Sequence, residues 1–300
     1  MTNDIVIELS RVSKKFGQHF ALEDVTYQVQ RGSVFALLGE NGAGKTTTIR
    51  ILLGLCEPDS GTRSVLGLDS KQHDLQIRQS VGYVPEQPIL YDWMTVDETG
   101  RFSASFYPEG YLARYHHWLK EYDLRPEAKI KTLSKGQRAK VSLSAALAHD
   151  PALLILDEPT SGLDAMVRRE FLESMVDRAA TGRSVFLSSH QIGEVERVAD
   201  TVAIMKKSRM LLIEPLDSLK SRTHLVTVTF NDDVNSDVSG VACDTLLNEI
   251  IEQKQDGREL RLVGHGLRED AEKILRENAN VVRHEIRTPS LEEIFVSYMK

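Results

Sequence analysis

The chain of 300 residues has only two cysteines, Cys56 and Cys243. Two cannot make a disulfide framework, and no CxxC or Cys/His spacing reads as a zinc site. Cys56 follows the apolar run from Ile51 to Leu55 and reads as a small buried hydrophobe. Basic excess is missing too. Lys and Arg number 37 against 44 Asp and Glu, a net charge of −7, which argues against a nucleic-acid wrapper. No apolar run reaches 18 residues, so no transmembrane helix is expected. The first residues lack a basic stretch followed by an apolar one, so no secretory signal is expected. Low-complexity tracts and internal repeats are absent as well. The chain reads as a reduced, intracellular globular protein of ordinary composition, long enough for two domains.

What is present is an alternation of short apolar strands and helices. Residues 5–9 and 25–29 read as strands, with Lys14-Lys15-Phe16-Gly17 as punctuation. A strand over 33–38 leads through a glycine loop at 39–44 into a helix over 45–55. Residues 101–147 read as mostly helical, interrupted at Pro108-Glu109-Gly110 and Arg125-Pro126, and His116-His117 there read as solvated. Strands return at 153–156, 184–188 and 202–205, which predicts a mainly parallel sheet buried on both faces. A boundary is expected between Glu214 and Arg222, giving domains 1–220 and 221–300. Beyond it the pattern predicts a small α/β unit: a strand at 225–230, a polar stretch, a helix at 246–255, a strand at 259–263, a helix at 268–277, a strand at 281–287 and a helix at 290–298.

The loop Gly39-Glu40-Asn41-Gly42-Ala43-Gly44-Lys45-Thr46-Thr47 matches G-x-x-x-x-G-K-[ST] between a strand and a helix. Its glycines let successive N–H groups point inward at phosphate oxygens, and the following helix adds its positive end. Lys45 is expected on the β- and γ-phosphates of a nucleotide and the Thr46 hydroxyl on Mg²⁺, which alone leaves kinases, GTPases and motor ATPases open. The apolar strand 153–156 ends in Asp157-Glu158. An Asp-Glu pair at a strand end is by itself usually a solvated turn. Beside a phosphate loop, Asp157 is expected to hold Mg²⁺ through water and Glu158 to act as general base toward the attacking water.

Between these motifs stands Leu133-Ser134-Lys135-Gly136-Gln137-Arg138, which resembles the signature sequence of ABC-type ATPases. Asp157-Glu158-Pro159-Thr160-Ser161-Gly162-Leu163-Asp164 resembles that family's joined Walker B and D-loop, and Ser188-Ser189-His190 its switch histidine. The motifs stand in the family's order, and the likeness runs from about Ile5 to Pro215. It implies a P-loop cassette: a RecA-like parallel-sheet core, an N-terminal antiparallel β subdomain and a helical signature subdomain, here with a small C-terminal α/β appendage. It implies that Phe16 stacks on adenine and that His190 touches the γ-phosphate. Ser134 and Gly136, with Gln137, would reach the γ-phosphate across a dimer interface, and Asp164 would communicate between the two sites. A helix start at Ser134 and Gly136 offers a hydroxyl and free amides to an anion. Because the glycine loop already encloses the phosphates of its own chain, this second anion site is expected to serve a second subunit.

Two positions depart from the family pattern. Lys135 stands where many members have glycine. In Val84-Pro85-Glu86-Gln87, counting puts Glu86 at the family's metal-binding glutamine, whereas residue type favours Gln87, and both remain candidates. Tyr83 to Gln87 and the ending Thr288 to Phe295 resemble exporter ATPases that work with separate ABC-2-type permeases. That likeness implies an ATP-hydrolysing subunit, on the inner face of a membrane, paired with a second copy or a related chain. The permease would be a separate polypeptide docking near the loop at Glu86-Gln87 and the helical region 94–119, with no nucleic acid involved. The competing class is a soluble ABC-type ATPase acting on DNA or ribosomes, whose members usually carry two cassettes or long insertions that this chain lacks. A P-loop small-molecule kinase would leave the signature and His190 without a purpose.

Overall fold

A computed structural model describes residues 4–231 and 243–300. Strands β1 (Ile5–Phe16) and β2 (His19–Gln30) form a long antiparallel pair, followed by β3 (Val34–Gly39) and helix α1 (Lys45–Leu52). Next come β4 (Ser60–Val65), β5 (Leu68–Asp69), α2 (Asp74–Ser80) and β6 (Val81–Val84). Three helices follow, α3 (Val96–Ala104), α4 (Tyr111–Glu121) and α5 (Lys135–Leu147). Then β7 (Leu153–Asp157), α6 (Ala165–Ala180), β8 (Ser184–Ser189), α7 (Ile192–Val195), β9 (Thr201–Lys206) and β10 (Arg209–Pro215) complete the first unit.

The central sheet has the order β10-β9-β3-β8-β7-β6. Its five strands β9, β3, β8, β7 and β6 are mutually parallel. Every residue of β3, β7 and β8 is buried, as the continuous apolar runs require of strands covered on both faces. The antiparallel sheet β2-β1-β4-β5 joins this core through three stacked rings. Tyr27 of β2 lies 5.3 Å from Phe35 of β3, which lies 5.6 Å from Phe186 of β8. Helices α3, α4 and α5 have their own core around Tyr111, Tyr115, Ile130 and Val141. Reciprocal capping at Thr95/Glu98 and Ser134/Gln137 starts α3 and α5 where the sequence turns apolar. His116 in α4 pairs through Nε2 with Asp97 at 2.7 Å and is not simply solvated as expected.

The second compact unit begins at Glu214, ahead of the expected division after residue 220. Helix α8 (Leu216–Arg222) runs straight into β11 (Thr223–Phe230): the Thr223 hydroxyl donates to the Leu219 carbonyl, and Leu216 and Leu219 are buried. The unit continues with β12 (Leu247–Asp256), β13 (Glu259–Leu267), α9 (Ala271–Glu277), β14 (Val281–Arg287) and α10 (Leu291–Met299), its sheet ordered β12-β13-β11-β14. The helix expected over 246–255 is instead strand β12. Its Glu, Gln and Lys residues favour a helix locally, but the segment pairs antiparallel with β13 from Leu247↔Leu267 to Asp256↔Glu259. The hairpin turns at Gly257-Arg258, with Gly257 at φ 55° in the first turn position, so the sequence signal was a glycine followed by a polar residue between the two strands. The polar stretch expected after Phe230 falls on residues 232–242, outside the described residues.

Glu293 of α10 ties this unit together. Its carboxylate accepts two hydrogen bonds from Arg287, at 2.6 and 2.8 Å, one from Arg261 at 3.1 Å and one from the Ser290 amide at 3.0 Å. The Arg287 guanidinium, above all, holds its pKa down to about 2. A depressed carboxylate stabilises the fold fully above its unfolded value of 4.5, and that contribution is lost as pH falls toward about 2. Glu293→Ala is expected to lower the opening free energy of β11, β13 and β14 by about 1–2 kcal/mol at neutral pH, allowing for the partly solvated arginines. Hydrogen exchange read by mass spectrometry on those strands checks it, and the difference from wild type should shrink as the pH is lowered.

Candidate nucleotide site

The glycine loop connects β3 to α1, and steric limits explain its glycines. A Cβ on Gly44, at φ 113°, would come within 2.3 Å of the Ala21 carbonyl and 2.8 Å of Leu22 Cδ2. A Cβ on Gly39 would meet the Met205 carbonyl at 2.7 Å. The loop encloses a cavity of about 360 Å³. Of the residues expected there, Glu40, Asn41, Gly42, Gly44, Lys45, Thr46, Thr47, Glu86 and Glu158 line it, joined by Ala21. Ala43 is buried behind the loop. Gln87 lies in a second cleft of about 190 Å³, shared with Lys135, Arg138, Pro159 and Ser161. Glu86 borders both.

Lys45 is 6% exposed and its ammonium donates to the carbonyls of Gly39, at 2.7 Å, and Glu40, at 3.3 Å. It also pairs with Glu158 Oε1 at 3.1 Å. The other oxygen of Glu158 accepts from the backbone amide of His190, at 3.1 Å, and lies 2.7 Å from His190 Nδ1. Facing a carboxylate, Nδ1 carries the proton, and Nε2 is left for another partner. Glu158 is only 7% exposed and sits at φ 48°, a left-handed conformation costly for a non-glycine residue. Such strain, held by the surrounding packing, is common where a side chain must be aimed.

Asp157 ends β7 at 2% exposure, with its Oδ1 accepting from the Ser188 hydroxyl at 2.5 Å. That same hydroxyl accepts from the Glu158 amide at 3.2 Å, and the Ser188 carbonyl accepts from it at 3.1 Å. Ser188 therefore positions both acids, a role the sequence reading missed. The signal lay in its place at the end of β8, paired in register with Asp157. Burial, helped by the negative charge of Asp157, pushes the Tyr83 phenol up to about 12.

The remaining candidates are not gathered into this cavity. Ser134 caps α5 and accepts from the Gln137 amide at 3.2 Å, while the Gln137 side chain accepts from the Ser134 amide at 3.0 Å. Gly136 packs against α6, where a Cβ would come 3.2 Å from Val167 Cγ2. The Lys135 ammonium lies over Gly162, occupying the space a side chain there would need. Asp164 caps α6 and accepts from the amides of Met166 and Val167, each at 3.0 Å. Phe16 stands 56% exposed, with the Lys14 ammonium 5.5 Å from its ring centre.

Whether the residues suit a magnesium ion can be judged from their chemistry. Thr46 and Glu86 at the cavity, with Asp157 beside it, are hard oxygen donors of the kind Mg²⁺ takes. Among the described residues no group of three or more His, Cys, Asp or Glu side chains is already gathered as a metal cluster. The set therefore fits an ion that arrives with phosphate oxygens to complete its shell.

Ser188→Ala would leave the buried Asp157 carboxylate without its donor. The expected cost is about 1–3 kcal/mol in stability of the first unit. Urea unfolding followed by the fluorescence of Trp93 and Trp118 checks it.

Comparison with known proteins agrees with this geometry. The family model described as ABC transporter matches residues 22–161. The chain is 32% identical over 231 residues to the ABC transporter ATP-binding protein YtrB of Bacillus subtilis (strain 168), covering 77% of this chain and 79% of that protein. It is 36% identical over 211 residues to the SkfA peptide export ATP-binding protein SkfE of the same organism, covering 69% and 87%. Among solved structures, an ATP-binding subunit of an ABC transporter shares 34% identity at a TM-score of 0.67, covering 72% of this chain and 92% of that one. A dimeric bacterial ABC transporter cassette shares 25% identity at a TM-score of 0.63, covering 70% and 98%. The chain belongs to the ABC transporter family, as one of its ATP-binding subunits.

Proposed function

We propose that this chain hydrolyses ATP to drive export through a separate membrane permease, working as a pair of cassettes that close on two nucleotides. The observation that carries the reading is Glu158, buried and strained between Lys45 and His190 at the wall of the loop cavity. In this arrangement Glu158 stands where a phosphate would. Entry of ATP would exchange the carboxylate for phosphate oxygens on Lys45 and on the loop amides of residues 40–47, leaving Glu158 free to accept the proton of the attacking water. His190 would hold the glutamate through Nδ1 and offer Nε2 to the γ-phosphate. Mg²⁺, when bound, neutralises phosphate charge. Thr46 and Asp157 would hold it, together with Glu86 or Gln87.

Phe16, exposed and next to Lys14, offers a face for adenine. Ser134, Gly136 and Gln137 at the start of α5 lie outside the cavity, which supports their acting on the nucleotide of a second copy, with Asp164 at the neighbouring helix start. The dimeric form of a related cassette supports the same pairing. For the permease, an apolar groove of about 410 Å³ lies beside the helical region, walled by Leu55, Ile89, Tyr91, Phe102 and Phe106. All five are exposed, an unusual concentration for a water-facing surface. No helix among the described residues is long and apolar enough to cross a membrane, so the membrane part would belong to that partner. The protein would then sit on the inner face of the membrane. The unit from Glu214 onward reads as an accessory domain.

The test is the solution mass of purified Glu158→Gln with and without ATP. Loss of the base with binding kept should trap the closed pair, so an ATP-dependent shift from monomer to dimer is expected. A folded sample that binds no ATP would overturn the reading.

A further inference from the structure

Of the two candidates for the metal-binding position, the fold brings only one to the loop cavity. Strand β6 pairs in parallel with β7, with Val84 opposite Leu156, so the chain leaving β6 runs on beside Asp157 and Glu158. Glu86 lines the loop cavity there, whereas Gln87 lines only the cleft by Lys135 and Arg138. The carboxylate of this pair, and not the neighbouring amide, therefore faces the loop cavity.

The charge balance of the cavity gives this placement a consequence. Its lining residues include three carboxylates, Glu40, Glu86 and Glu158, against one cation, Lys45. That cation is already paired with Glu158. Buried Asp157, next to Glu158 in the chain, adds a further carboxylate close by. Free ATP carries several negative charges into this field, and like charges lining one cavity repel it, although solvent screens the exposed Glu40 and Glu86 in part. Complexed with a divalent cation, the same polyphosphate presents positive charge to a carboxylate. Resting on the reading of this cavity as the ATP site, we propose that Glu86 makes nucleotide binding conditional on a divalent cation, repelling metal-free ATP and favouring the metal complex. A glutamine could offer the metal an oxygen but would not repel free nucleotide.

The experiment is calorimetric titration of the full-length protein with ATP, in excess Mg²⁺ and in excess EDTA, for wild type, Glu86→Gln, Glu86→Asp and Gln87→Ala. The quantity read is the ratio of the two dissociation constants. The ratio is expected to fall about tenfold in Glu86→Gln relative to wild type, mainly through tighter binding of metal-free ATP. Glu86→Asp, which keeps the charge, should retain the wild-type preference. An unchanged ratio in Glu86→Gln overturns the proposal, and a ratio that moves in Gln87→Ala instead assigns the role to Gln87. Wild type that binds ATP in neither condition overturns the nucleotide reading itself, whereas ATP binding with a ratio insensitive to residue 86 overturns the Glu86 proposal alone.

Discussion

The buried pairing of Lys45 with Glu158 is the constraint around which the first unit is arranged. Removing an ammonium and a carboxylate from water costs several kcal/mol each, so the pair survives only where other groups complete its hydrogen bonding. Gly39 and Glu40 supply carbonyls to the lysine, and the His190 amide and ring serve the glutamate. Those partners come from β3, the loop after it and the end of β8, while Glu158 follows β7. Three parallel strand ends must therefore be held in register. The fully buried strands β3, β7 and β8 and the Tyr27–Phe35–Phe186 stack do this. Apolar packing far from the cavity thus determines whether two charges can sit inside it.

The same pairing bears on how such a site can change state. In the proposed cycle an incoming phosphate would replace the carboxylate on Lys45, and the displacement would fall on Glu158 and the groups attached to it. His190 is linked to that carboxylate and Ser188 to the neighbouring acid, so such a change would be passed to the end of β8. On the other side, Glu86 borders both the loop cavity and the cleft beside α5. The α5 start and the cavity are in this way connected through one short segment following β6.

Much of this was legible because it depends on spacing along the chain. The loop from Gly39 to Thr47, the acids Asp157 and Glu158 at a strand end, and His190 after two serines are local patterns whose chemistry follows from residue type. The capping of α5 by Ser134 and Gln137 and of α6 by Asp164 likewise shows in the sequence as polar residues at helix starts. Strand β12 was misread for a physical reason. Its Glu, Gln and Lys side chains favour a helix alone, and only the partner strand β13, across a tight turn at Gly257-Arg258, outweighs that preference.

The sequence by itself determined the chemistry on offer: a glycine loop able to wrap phosphate, a lysine to neutralise it, and acids and a histidine at strand ends. Tertiary structure decided which of these meet. It brought Glu158 onto Lys45, made Ser188 the shared partner of both acids, and placed Glu86 but not Gln87 at the loop cavity. It also kept Ser134, Gly136 and Gln137 away from the loop of their own chain. The reason is that residue type and spacing govern local backbone geometry, whereas the distance between residues remote in sequence is fixed only by strand register and packing of the core.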